Sequence, residues 1–201
     1  NKDYIKQIKK TREHPIFHSE IKLSEEILVT SNLKEAVANA DIVILAIPSK
    51  YIREIVVKFK GYLKNKVIIL SLIKGLEVGT NKRISEIVEE VVKDKVNYHY
   101  CALSGGMIAK DVIAKNPLCA NLACENREVA REVAKYLYTN YFRIETTNDL
   151  LGVELAGAFK NVISIGAGII EGMGNSESSK AAYVSTAAIE MQNLAIALGA
   201  R

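Results

Sequence analysis

The chain has 201 residues, 49% of them hydrophobic and 25% charged, and its 27 Lys and Arg against 23 Asp and Glu leave a net charge of +4. That apolar content excludes a disordered chain, and the length holds one large domain or two small ones. The charge is modest, tryptophan is absent and no dense basic cluster is interleaved with aromatics, so a nucleic-acid partner is not expected.

In chain order, residues 1–13 are basic and mildly amphipathic, like the tail of a helix, and 14–26 lack periodicity and read as loop. A β-branched run, 27-ILVT-30, precedes a helical turn or two over 33-LKEAVANA-40. A rhythm then begins. The apolar run 42-IVILAI-47 leads to helical 51-YIREIVVKFKGYL-63, and 67-VIILSL-72 leads to 82-KRISEIVEEVVK-93. In the same way 98-YHYCAL-103 leads to 107-MIAKDVIAK-115. Continuous apolar strands alternating with helices predict a parallel sheet covered on both faces, the doubly wound, Rossmann-like α/β class. After 117-PLCANLACE-125, a helix from Arg127 to about Tyr138 and 141-YFRIET-146, strand signals cease. Thr147 or Asn148 can cap the next helix, with Asp149 in its first turn. A last helix is expected from about Ser178 to Leu198. The predicted organisation is an α/β domain over 1–146 and the start of a helical domain over 147–201.

Cys101, Cys119 and Cys124 form no CxxC pair, which suggests reduced thiols and a cytoplasmic protein, two of them packed in strand-like runs. The histidines make no metal-ligand spacing, so no metal is expected. No secretory signal opens the chain, and the uncharged apolar run from Val162 to Ile170 is short of the roughly 20 residues a bilayer requires, so no membrane span is expected. A first residue of Asn rather than Met suggests a start inside a longer natural sequence.

Ligands of open parallel sheets bind beyond the carboxyl ends of the strands. There the sequence places Pro48-Ser49, Lys74-Gly75 and Ser104-Gly105-Gly106 at three successive strand ends. Each is more often a plain turn, but together they describe a cleft floor of little bulk with one cation. A helix starting near Met107 would point its N–H groups there and suit an anion such as phosphate, although Met107 and Ile108 also fit core packing. The apolar helix 154-ELAGAFKNVISIGAGIIEGMG-174 is crowded with glycines, each costing roughly 1 kcal/mol relative to alanine, so another backbone or a ligand is expected to approach it closely. In its middle is Lys160. A desolvated lysine has a lowered pKa and can exchange protons near neutrality, or its stem can cover apolar surface while its head reaches water.

The chain resembles the NAD(P)-dependent glycerol-3-phosphate dehydrogenases. The matching segments are 12-REHPIFHSEIKL-23, 46-AIPSKYI-52, 73-IKGLEVGT-80, 104-SGGMIAKDV-112, 148-NDLLGVELAGAFKNVISIGAGIIEGMG-174 and 189-IEMQNLAIALGA-200. They fall in order over almost the whole chain, and the run from Gly157 to Val162 is the most specific. The resemblance implies an oxidoreductase that uses NAD or NADP in reversible reduction of dihydroxyacetone phosphate to glycerol 3-phosphate, feeding glycerolipid synthesis. It implies that Lys160 gives and takes the proton at the substrate oxygen. Lys74 would lie near nicotinamide and substrate, where its charge stabilises developing negative charge on the carbonyl oxygen. Gly105 would bind substrate through its backbone, Asn161 would orient the substrate or Lys160, and Met107 falls at a substrate-binding position. Pro48, Tyr51 and Ala109 would contact the cofactor.

The chain also departs from the family. The glycine-rich GxGxxG turn that cradles the pyrophosphate does not fall within these residues. Neither does the later segment with a catalytic aspartate and an Arg-Asn pair for the substrate phosphate. Gly106 and Met107 stand where proline and a small hydroxyl or amide residue are usual, and 185-STA-187 replaces Thr-Arg-Gly. Two other readings therefore stay open: a related dehydrogenase for another small hydroxy compound, and a non-catalytic fragment or paralogue that keeps the fold. The small-residue face of 178–198 must pack on something, either more of the helical half or a second subunit in a homodimer.

Overall fold

The computed structural model describes residues 2–201; Asn1, within the expected first helix tail, lies outside them. Helix α1 (Lys2–Thr11) is followed by loop and by α2 (Leu33–Val37), where the Asn32 side chain accepts from the N–H groups of Lys34 and Glu35. The run at 27–30 forms no strand, and Ile27 and Leu28 are exposed.

Strands β1 (Ile42–Leu45), β2 (Val67–Ser71), β3 (Tyr98–Gly105), β4 (Leu118–Cys124) and β5 (Phe142–Thr147) form one sheet in sequence order. Helix α3 (Ile52–Phe59) joins β1 to β2 and α4 (Ile84–Val92) joins β2 to β3, both pairs being parallel. The expected all-parallel sheet fails once: β3 and β4 are antiparallel, with Cys101 opposite Cys124, before β4 and β5 pair in parallel. The reason lies in the connection. Only the five-residue helix α5 (Ala109–Ile113) lies between β3 and β4, and at 1.5 Å per residue it spans about 8 Å. It cannot carry the chain back along the eight residues of β3, so the next strand runs down beside it. This also shortens the helix expected over 107–115.

One core, of Val43, Leu45, Ile52, Val56, Phe59, Val67, Ile69, Ile87 and Val88 among others, fills the space between the sheet and α3 and α4. A second, including Leu70, Cys101, Leu103, Leu122, Cys124 and Val133, lies under α6 (Arg127–Leu137) on the opposite face. Every residue of β2 is buried. In edge strand β1, by contrast, Ile44 is 53% exposed, so the expected cover on both faces does not extend to that edge among the described residues. Cys101 and Cys124 are buried and Cys119 is exposed, all three as free thiols.

Helices α7 (Leu150–Gly172) and α8 (Glu177–Ala197) follow and pack on each other, and α7 also lies along β3 and β4. The α7 cap is Asp149, whose carboxylate accepts from the Gly152 N–H at 2.9 Å; Thr147 instead accepts the Asp149 N–H in the preceding turn. The cap thus falls later than Thr147 or Asn148, because the first free N–H groups of the helix lie within reach of Asp149. By length and composition α7 is apolar enough to cross a bilayer, unlike the uncharged run counted from sequence. Its two central charges, Glu154 and Lys160, are however hydrogen-bonded to the sheet domain.

Candidate active site

Two of the expected strand ends, those after β2 and β3, meet α7 at one rim, and the third lies beside them. Lys160 Nζ donates to the carbonyl oxygen of Gly105 at 2.6 Å. Less than one turn earlier, α7 passes so close to β3 that a Cβ on Gly157 would stand 2.9 Å from Ser104 Oγ and 4.0 Å from Lys74 Cγ. The glycine is therefore what brings helix, strand end and Lys74 stem together. Gly75 has φ +134°, and a Cβ there would meet Ser49 Oγ at 3.4 Å, which places the loops after β1 and β2 side by side.

Two ammonium groups now share this rim. Burial, and then Lys74 beside it, push the Lys160 ammonium down to about 8 from the usual 10.5. Burial removes water that stabilises the charged form, and a like charge disfavours it further. A lysine so placed holds a proton at neutral pH and gives it up readily, while its carbonyl partner fixes where it points.

The glycines after β3 serve different ends. A Cβ on Gly105 would strike the backbone of β4, at 2.7 Å from Cys119 O and 2.8 Å from Ala120 Cα. Close strand pairing, rather than approach of a ligand, thus requires glycine there. A Cβ on Gly106 would meet nothing within 4 Å, so this position faces open space.

The other expected residues are placed less centrally. Met107 packs partly against the second core. Ala109 begins α5 and is exposed, and α5 is too short to present a helix N-terminus of any strength. Asn161 is exposed beside Lys160. Pro48 precedes the short 3-10 turn Ser49–Tyr51, and the half-exposed Tyr51 ring carries Lys50 Nζ 4.7 Å from its centre.

Sequence reasoning missed Glu154. Its carboxylate accepts from Arg83 Nη1 and from the Ser85 and Tyr100 groups, with a side chain only 7% exposed. The available signal was an acid in the apolar helix, six residues before Lys160. A cavity of about 810 Å³ opens near this network, lined by Glu86, Glu89, His99, Glu125 and Arg201 among others. Since Tyr98 begins β3 and Cys124 ends the antiparallel β4, that cavity lies at the rim opposite Lys160.

The sequence profile described as NAD-dependent glycerol-3-phosphate dehydrogenase N-terminus matches residues 1–137, and that of the C-terminus matches residues 149–201. The chain belongs to this dehydrogenase family. A glycerol-3-phosphate dehydrogenase [NAD(P)+] of Ligilactobacillus salivarius is 40% identical over 182 residues, 89% of this chain and 54% of that protein. Another, of Geobacter sp. strain M21, is 34% identical over 199 residues, 99% of this chain; the chain spans 59% of that relative's length. The solved structure of DsGPDH of Dunaliella salina matches with a TM-score of 0.87 and 29% identity over 97% of this chain and 33% of that one. The crystal structure of glycerol-3-phosphate dehydrogenase from Coxiella burnetii, at 23% identity, shares the fold with a TM-score of 0.90 over 99% of this chain and 60% of its own. In this member of the family a mixed, mostly parallel sheet has a helical continuation, and the lysine-bearing helix is docked on the sheet through Gly157.

Proposed function

We propose that this chain carries the lysine-bearing part of the active site of an NAD(P)-dependent glycerol-3-phosphate dehydrogenase, acting on dihydroxyacetone phosphate and glycerol 3-phosphate. The observation that carries this reading is the Lys160 ammonium, lowered to about 8 beside Lys74 and aimed by its bond to Gly105 O.

The residues present fit the nicotinamide end of the cofactor: Gly106 adds no bulk at the rim, and Pro48 and the exposed Tyr51 ring flank the loop that meets Gly75. Ala109 adds a backbone contact on the same side. When bound, NAD(P)H supplies the hydride to the carbonyl carbon. Lys160 gives a proton to the carbonyl oxygen, and takes it back from the hydroxyl in the reverse direction. Lys74, near that oxygen, stabilises the negative charge that develops on it. Asn161, exposed next to Lys160, orients the substrate by hydrogen bonding. Gly105 holds Lys160 through its carbonyl. Met107 has no side-chain donor and its thioether packs inward, so it serves through its backbone. Cytoplasmic placement and a homodimer formed through the helical region belong to the same reading; sedimentation tests the second.

The deciding experiment follows nicotinamide absorbance with dihydroxyacetone phosphate, on the longest natural form of the protein and on its Lys160→Ala variant. A loss of about 10²–10⁴-fold in kcat is expected. Equal rates in the two proteins would remove Lys160 from the chemistry. Oxidation only with another small carbonyl compound would replace the substrate.

A further inference from the structure

Lys160 and Lys74 come from segments far apart in sequence, and two like charges do not hold themselves together. Something else must keep α7 and the loop after β2 in register. Four hydrogen bonds converge on Glu154: Arg83 Nη1 to Oε2 at 2.9 Å, Ser85 N to Oε1 at 2.9 Å, Ser85 Oγ to Oε2 at 2.5 Å and Tyr100 Oη to Oε1 at 2.9 Å. They join α7 to β3 and to the start of α4 at one point.

The start of α4 is also the end of the segment that carries Lys74. Residues 75–82 form a compact turn closed on itself, with Glu77 N donating to Lys82 O at 2.9 Å and Asn81 N to Glu77 O at 3.0 Å. Outside, Arg53 grips Glu77 at 2.7 and 2.8 Å. The position of Lys74 is therefore set from two sides, by β2 three residues before it and by α4 beyond this turn. On the other side, Glu154 precedes Lys160 by six residues, about 9 Å along a helix, too far to touch the reacting atoms.

We infer that Glu154 is a positioning residue: by clamping α7 to the head of α4 and to Tyr100, it sets the distance between Lys160 and Lys74. This rests on the reading of these lysines as the reaction centre. Gly157, between the two, lets the clamp close, since a Cβ there would press on Ser104. The charged and titratable groups facing Glu154 among the described residues are Arg83 and Tyr100, and the cation facing Lys160 is Lys74. Burial and Glu154 keep the Tyr100 hydroxyl protonated well above its ordinary range, so it stays a donor throughout the working pH.

The test reads Lys160 directly. Lysines of the full chain are labelled competitively with acetic anhydride across pH and counted by mass spectrometry, in wild type, Glu154→Ala, Glu154→Gln and Leu155→Ala. With the clamp gone, Lys160 moves away from Lys74 and gains water, so its midpoint in Glu154→Ala rises by roughly one unit. Glu154→Gln, which keeps an acceptor of the same shape, falls between. Leu155→Ala, next in the helix and buried, lowers the melting temperature and leaves the midpoint in place. A Lys160 midpoint unchanged in folded Glu154→Ala, or shifted equally in Leu155→Ala, overturns the proposal. The same variants assayed for NAD(P)H oxidation should lose kcat with KM little changed. A midpoint shift in a protein with no such activity would sustain the clamp and discard the dehydrogenase reading, so the two failures are distinct.

Discussion

The sheet around β2 and the far half of α7 are equally apolar in sequence and opposite in fate. Ile69, Ile87 and Val88 are fully buried between β2, α3 and α4. Val162, Ile165 and Ile169, spaced as one stripe of α7, and Met173 just past its end are all more than half exposed. The near half of α7 differs from both: its Leu155 and Gly157 are buried, and it is tied down by Glu154, Gly157 and Lys160. Apolar content thus says that a segment seeks cover. Which part of it obtains cover depends on partners from elsewhere in the chain.

That comparison can be broken by paired truncations. Ile87→Ala should cost about 2–5 kcal/mol, because a buried methyl-rich side chain leaves a cavity in a packed core. Ile165→Ala should change stability by no more than about 0.5 kcal/mol. Urea denaturation of the two variants checks this, and comparable losses would mean that the α7 stripe is covered in solution.

A smaller effect separates the two glycines at the rim. Gly105→Ala presses a methyl on the β4 backbone and should cost roughly 1–3 kcal/mol as overpacking. It should also displace the carbonyl that aims Lys160. Gly106→Ala, pointing into open space, should leave the melting temperature almost unchanged. If Gly106→Ala nevertheless weakens cofactor binding, that position lines the cleft.

Much of the fold was legible because its signals are local. The runs at 42, 67 and 98 became β1, β2 and β3, and the helices after the first two became α3 and α4. The direction of β4 was not legible from its own apolar pattern, which parallel and antiparallel strands share; it depends on how far α5 can carry the chain. The site divides the same way. Lys160 stood out as a charge in an apolar helix, whereas Glu154 in that same helix owes its meaning to Tyr100 and Arg83, 54 and 71 residues away. Gly105 was read as backbone approached by a ligand, whereas the group that requires glycine there is the β4 backbone.

The least conspicuous effect is the pH dependence of stability, where both charge clusters should raise stability with pH, Glu77 in the acid range and Lys160 in the alkaline range. Glu77, held by Arg53 and Thr80, is pushed down to about 2 from 4.5. Such a carboxylate stabilises the fold above its unfolded value and loses that contribution as pH falls from about 4.5 through about 2. For Lys160 it is the charged form that costs stability. With a folded value of about 8 against 10.5 unfolded, the unfolded chain binds the extra proton between those values, so stability rises with pH across that window. Below pH 8 the folded chain bears the whole cost of an ammonium held out of water beside Lys74. Lys160→Met should therefore be more stable than wild type at pH 7 and should lack the rise between pH 8 and 10.5. Glu77→Gln should instead flatten the acid limb and leave the alkaline one. Thermal melts across pH on the three proteins would show both. A wild-type alkaline rise that survives in Lys160→Met would mean that the strained ammonium is not this one. Loss of that rise on substitution would mark Lys160 as a residue kept at the expense of stability, as expected of a group held for its chemistry rather than for the fold.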